Sequence, residues 1–337
     1  MFKPKRIIFV LIFLALVVWI FKFQRNYPAT VDLKHDPDTF GVTYSTKFAQ
    51  ELGFKNDEPY YALLDDLKVK NVRLPIYWDD IEKEDGVLDF SKYDKLLADG
   101  SNRGTKFIVN IGWRLPRWPE CHAPAWLNSS STEVIQGKAL VMLRETVNHY
   151  LKKPDIASNI VYWQVENEPL LDVFGTCPKG DEAFLQKEIA LVRALDPSHP
   201  IIITASGELS AWTKEGHLGD WFGTTMYRVV WNKYFGYIHY PLPAFFYSSK
   251  ATWARVPKDK SMIVELQAEP WVPSGSMKDM APADYEKSMS LEQFRGNIQV
   301  GLDSGFKKIY LWGAEWWYFQ KTKGQPLYWE VARPLFD

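Results

Sequence analysis

The sequence predicts a (β/α)8 barrel, and three observations carry that prediction. Eight short apolar or β-rich runs recur between residues 38 and 337, helical patterns fill most of the intervals between them, and several runs turn polar just as they end. The runs are Phe40–Tyr44, Asn71–Ile76, Lys106–Gly112, Ile160–Val165, Pro200–Ala205, Trp221–Tyr227, Ser261–Val264 and Lys308–Trp312. Among the intervals, Pro59–Val69, Thr132–Leu151 and Leu291–Leu302 read as helices. The last two are entered through capping-box-like Ser130-x-x-Glu133 and Ser290-x-x-Gln293. The gap from Ala205 to Trp221 is too short for a long helix, yet it meets the dozen or so residues that a parallel crossover needs. A doubly wound sheet is the competing architecture, but no Gly-rich phosphate turn follows any run. With no internal repeat or long linker, residues 38–337 read as one domain.

The N-terminus reads differently. Ile7–Phe21 is an apolar run of 15 residues, preceded by Lys3, Lys5 and Arg6 and followed by Lys22 and Arg25. That is long for a secretory core and just short of a ~17-residue span. No small-x-small cleavage site follows. Residues 1–25 are therefore expected to be a signal anchor (transmembrane helix) or a signal peptide, and 26–37 a linker. The domain would then lie outside the cytoplasmic membrane, anchored to it or secreted.

Composition narrows the function. Hydrophobic residues at 46% and charged residues at 24% exclude a disordered, collagenous or multi-spanning chain. Net charge is −1, but the five basic residues before position 26 have no acidic counterpart, so the remainder is acidic and a nucleic-acid partner is not expected. The six histidines are scattered, with no pair at metal-ligand spacing, and there is no P-loop or nucleophile elbow; neither metal nor cofactor is expected. The 15 tryptophans offer flat faces of the kind that suit sugar rings, a carbohydrate substrate being the partner they favour.

In a barrel, chemistry gathers at the C-terminal ends of the strands. The fourth run ends in Glu166-Asn-Glu-Pro169, which puts Asn167 and Glu168 at the mouth. The seventh ends on Glu265, so a second carboxyl enters the mouth from a distant strand. Two such carboxyls are what glycosidic cleavage requires: one protonates the leaving oxygen, and the other attacks the anomeric carbon or activates water. Arg73 on the second run is placed to keep a carboxylate ionised, Tyr227 to donate to Glu265, and Trp312 to floor a sugar site. Trp113 and Trp271, following the third and seventh runs, join them as cleft aromatics. Glu269 is a rival nucleophile, whereas Glu166, Glu315 and Asp172 read as substrate contacts or surface charges. Cys121 and Cys177 fall in neighbouring mouth loops, and an exported chain would pair them.

These residues together resemble the retaining glycoside hydrolases of clan A, the group of cellulases, β-mannanases and β-galactosidases. Asn167-Glu168-Pro169 is similar to the clan's acid/base motif after the fourth strand. Tyr77-Trp78-x-x-Ile81-Glu82 with Gly86-x-Leu88-Asp89-Phe90-x-x-Tyr93-Asp94 is similar to the segment after strand two in several of its families. The resemblance implies Glu265 as nucleophile, Arg73 as the strand-two arginine and Tyr227 as the strand-six tyrosine. Two positions depart from the cellulase-type pattern: Thr225 stands where those families often have His, and Leu266-Gln267 where they often have an aromatic residue and Gly. The implied activity is a retaining β-glycosidase. The alternatives are an envelope-glycan transglycosylase using the same residues, or a catalytically silent glycan-binding barrel.

Overall fold

The computed structural model describes residues 35–36 and 38–337, with Leu11 and Ala15 before them. The expected N-terminal anchor and linker lie otherwise outside the described residues, among which no helix is long and apolar enough to cross a membrane. Six parallel strands run in order: β1 (Phe40–Thr43), β2 (Asn71–Pro75), β3 (Lys106–Ile111), β4 (Ile160–Val165), β5 (Ile201–Ala205) and β6 (Trp221–Met226). An antiparallel hairpin of β7 (Val229–Asn232) and β8 (Gly236–His239) then stands apart from the barrel. The last two barrel strands, β9 (Ser261–Gln267) and β10 (Ile309–Trp312), complete a closed ring in which β10 pairs with β1. All eight expected strands are present. The hairpin was not legible in advance, and β9 runs three residues beyond its expected end because Gln267 is tied down: its Oε1 accepts from the backbone N of Arg228 and of Val229, both at 2.9 Å.

Helices follow the sequence with local corrections. Thr132–Leu151 is helical as expected, but Ser131 caps it, accepting from Val134 N, so the cap lies one residue later than the Ser130 pattern indicated. Ser290 caps Leu291–Asp303 as read, accepting from Gln293 N at 3.1 Å. The helix expected over 59–69 is Glu58–Asp65. It stops early because the chain passes through a left-handed Lys68 (φ 59°) on its way to β2.

Inside the barrel, side-chain alternation builds two layers. Ile108, Ile202, Met262, Val264 and Tyr310 form a buried apolar cluster, with Tyr162 and Trp221 packed against it. Two residues further along the same strands come Asn110, Thr204 and Gln164, all buried and all polar. An inward-facing position two residues on is the next one up the barrel axis, so the polar layer lies on the C-terminal side of the apolar one. The strands thus carry their own site.

β9 breaks the alternation at a useful place. Thr224 pairs with Ile263 and Thr225 with Glu265, so Val264 has no partner on β6; on the other side Ile309 pairs with Ile263 and Leu311 with Leu266. Val264 is a β-bulge, and it re-aims the residue after it. Val264 belongs to the interior apolar cluster, and Glu265, next in the chain, also faces inward. The bulged carbonyl is satisfied by the hydroxyl of Thr43, which donates to it at 3.0 Å.

Candidate active site

Arg73 is the hub of the mouth. It is fully buried, and its Nη1 donates to Glu265 Oε1 at 2.8 Å, its Nη2 to Asn167 Oδ1 at 2.8 Å and its Nε to Gln164 Oε1 at 2.7 Å. A buried guanidinium is tolerated only when its donors are matched, and here its fork links β2 to β4 and β9. Tyr227 Oη donates to the other oxygen of Glu265 at 3.0 Å. Both oxygens of Glu265, 4% exposed, therefore accept from buried donors.

Glu168 meets the opposite setting. It is 8% exposed, and burial first, then the charges of Glu265 and Glu120, push its carboxyl well above the usual carboxylate range. Thr225 Oγ1 donates to it at 3.2 Å, so the position that departs from the cellulase-type pattern touches the acid candidate. Glu168 and Glu166 both have left-handed backbones, φ 46° and 60°. Such strain persists where neighbours fix it. Here Glu166 N donates to Ile111 O, Asn167 N to Arg114 O and Glu168 N to Thr204 Oγ1, at 2.9, 2.7 and 2.8 Å.

Several residues the sequence did not single out complete the site. Gln164 and Thr204 are the polar-layer residues that bind Arg73 Nε and Glu168 N. Glu120, left-handed at φ 74°, is a third buried carboxyl: Asn167 Nδ2 donates to its Oε2 at 3.3 Å, and burial, reinforced by the charge of Glu265, pushes it up to about 8. The signal that would have found the polar-layer residues is the polar position two after an inward apolar one; nothing local marked Glu120.

The remaining expected residues are placed as follows. Glu166 accepts from the backbone N of Trp113 and Arg114, both at 2.6 Å, and Glu315 accepts from Ser45 N; both carboxyls are buried and brace backbone, contrary to the surface or substrate-contact reading. Asp172 accepts from Gly180 N at 2.8 Å in its own loop. Glu269 is bound bidentately by Arg117. Trp312 carries the Arg117 guanidinium over its ring, 3.9 Å from the centroid, which leaves only its other face for a sugar. Trp271 lies edge-on to Tyr227 (5.8 Å) and to Phe174 (6.0 Å), which in turn meets Trp118 (6.1 Å), an aromatic run linking the loops after β6, β9, β4 and β3. Trp113, whose backbone N donates to Glu166, lines a small cavity beside the disulfide with Glu166, Cys121 and Cys177. Among the described residues no group of three or more His, Cys, Asp or Glu is placed to hold a metal ion.

Cys121 and Cys177 are bonded, with Cα atoms 5.3 Å apart. Around the bond, Arg114 donates to Leu171 O and Phe174 O at 2.6 and 2.9 Å, and Thr176 N to Pro119 O at 3.0 Å, so the β3 and β4 loops form one wall. Closing a 56-residue separation limits the unfolded chain by about 4 kcal/mol on the chain-entropy model. Cys121→Ser is accordingly expected to lower the denaturation midpoint and to raise the m-value, because the unfolded chain without the cross-link is less compact and exposes more surface. An unchanged midpoint would show that the wall's hydrogen bonds suffice.

No protein-family model matches this sequence, and no curated protein does. Solved structures do resemble it. The GH53 catalytic domain of Ignisphaera aggregans is 15% identical, with 85% of this chain and 88% of that one covered and a TM-score of 0.54. Xylanase 10B of Thermotoga petrophila, solved with xylobiose, is 15% identical over 89% and 94% of the two chains at a TM-score of 0.57. The exo-β-1,4-mannosidase Op5Man5 of an Opitutaceae bacterium is 15% identical over 88% of this chain and 59% of its own length, at 0.54. At such identities the likeness is one of fold, and the fold this chain shares with these glycoside hydrolases is the closed (β/α)8 barrel.

Proposed function

We propose that the protein is a retaining β-glycosidase acting on oligo- or polysaccharides by double displacement, with Glu168 as acid/base and Glu265 as nucleophile. The observation that carries the reading is the contrast between two buried carboxyls in one mouth. Glu265 is met by the Arg73 guanidinium and the Tyr227 hydroxyl, while Glu168 is pushed toward its protonated form. In the first step Glu265 attacks the anomeric carbon and the glycosidic C–O bond breaks, with the Glu168 proton passing to the leaving oxygen. Glycosylation removes the charge of Glu265, one of the causes that kept Glu168 protonated. Glu168 then takes a proton from water, and the hydroxyl forms the new bond to the anomeric carbon as Glu265 leaves. Two inversions give net retention.

The test is proton NMR of the first product released from a panel of aryl β-glycosides. A β-anomer is expected before mutarotation, and an α-anomer appearing first would exclude the covalent route. The same reading keeps the barrel outside the cytoplasmic membrane on the Ile7–Phe21 segment, in keeping with a disulfide that an oxidising compartment favours. The full-length chain is expected in the membrane fraction with its barrel open to external protease. A mature N-terminus near residue 25–35 would instead mean cleavage and release.

A further inference from the structure

The loop after β3 does more than carry Glu120. In the ring order of the barrel, β4 lies diametrically across from β10. An acid on β4 gives its proton to the leaving group, so the leaving group lies on the Glu168 side and the sugar that becomes bonded to Glu265 extends away from it, toward β10 and β1. That side is occupied. Arg117, from the β3 loop, passes β2 and β1 to lie between the Phe48 and Trp312 rings, 3.6 and 3.9 Å from their centroids. Its Nη groups pair with Glu269 and, at 3.8 Å, with Glu315, and its side chain is only 12% exposed.

The crossing is braced along its length. Tyr77 Oη donates to Pro116 O at 3.0 Å, and a ring nitrogen of His122 lies 3.1 Å from Arg117 O. His122 is itself buried against Tyr77, and burial pushes it down to about 4, so it stays neutral there. Arg117 has a left-handed backbone (φ 81°), and the disulfide at Cys121 fixes the returning chain. An arginine stacked on two rings and paired with two carboxylates is a filled position, and further sugar units would have to displace all four partners.

We infer that Arg117, Glu269, Glu315 and Trp312 form a wall closing the glycone end of the cleft, so that the enzyme works from the non-reducing chain end and releases one sugar at a time. This rests on the glycosidase reading above and on its assignment of Glu168 to the leaving-group side.

The experiment uses the intact protein on β-1,4-linked hexasaccharides of glucose, mannose, xylose and galactose, each labelled at the reducing end, with product lengths followed over time. The labelled product is expected to shorten by one residue at a time, the pentamer first. Labelled dimers or trimers appearing first would overturn the wall while leaving a glycosidase. No cleavage of any of these oligosaccharides or of aryl glycosides would overturn the glycosidase reading, and the wall with it. Arg117→Ala, checked for a cooperative thermal transition, is expected to raise internal relative to terminal cleavage by about tenfold. A folded variant with an unchanged ratio would count against the wall, and the wild-type pattern decides the matter should the variant not fold.

Discussion

Glu265→Ala is expected to abolish turnover on every substrate, a loss of about five orders of magnitude, equivalent to ~7 kcal/mol of barrier. The variant removes the group that forms the covalent bond, and nothing nearby replaces it. Glu269, the other carboxyl on that segment, is held bidentately by Arg117, and its oxygens are occupied. Arg73 keeps Gln164 and Asn167 as partners when Glu265 is gone, so the barrel is expected to fold, with a midpoint lowered by the loss of one buried ion-pair partner. Glu265→Gln, which preserves the shape of the side chain, is expected to be equally inactive and closer to wild type in stability. An active Glu265→Ala enzyme beside an inactive Glu269→Ala enzyme would reassign the nucleophile.

Glu168→Ala is expected to behave differently. Losing a general acid costs about 10²–10⁴-fold on substrates whose leaving group needs a proton, and far less on aryl glycosides that leave unaided. For those, glycosylation proceeds, deglycosylation stalls for want of a base, and the glycosyl-enzyme accumulates to a mass detectable on the intact protein. Azide, which needs no deprotonation, is expected to restore turnover and give a β-glycosyl azide. No rescue and no intermediate would remove Glu168 from the acid/base role. Because the folded-state carboxyl is raised, wild-type activity falls as pH climbs through its ionisation, and that alkaline limb is expected to vanish in the variant. The same shift has a sign for stability. A raised folded pKa means the unfolded chain releases this proton first, so stability is lost as pH rises above the ordinary carboxylate range. Glu168→Gln, which never ionises, is expected to melt higher than wild type at neutral pH.

How much of this was legible depends on whether a feature is local. The strands announce themselves as β-rich runs, and the change from Val165 to Glu166-Asn-Glu168 at the end of β4 marks the mouth without further help. Tyr227 and Glu265 were legible because each stands at or near a strand end, and Arg73 because a charged residue interrupts the apolar run of β2. What the sequence hides is contact between distant segments. The guanidinium of Arg117 reaches Glu269, 152 residues on, and only that meeting turns a rival nucleophile into a wall and takes one face of Trp312. Glu120 is likewise silent, since its setting comes from Asn167 and Glu265 on other strands. The hairpin of β7 and β8 was missed because its strands are only four residues long and mostly half buried.

The irregularity at Val264 gives β9 a change of parity: even-numbered residues point inward before it, and Glu265 after it. The nucleophile's orientation is therefore a property of residue count as much as of residue type. A graft of this strand onto another barrel, aligned by strict alternation from Met262 and Val264, would turn the carboxylate out into the helical layer, with every side chain conserved and the chemistry gone. Val264 and Glu265 have to travel as a pair, together with a hydroxyl like that of Thr43 to hold the freed carbonyl.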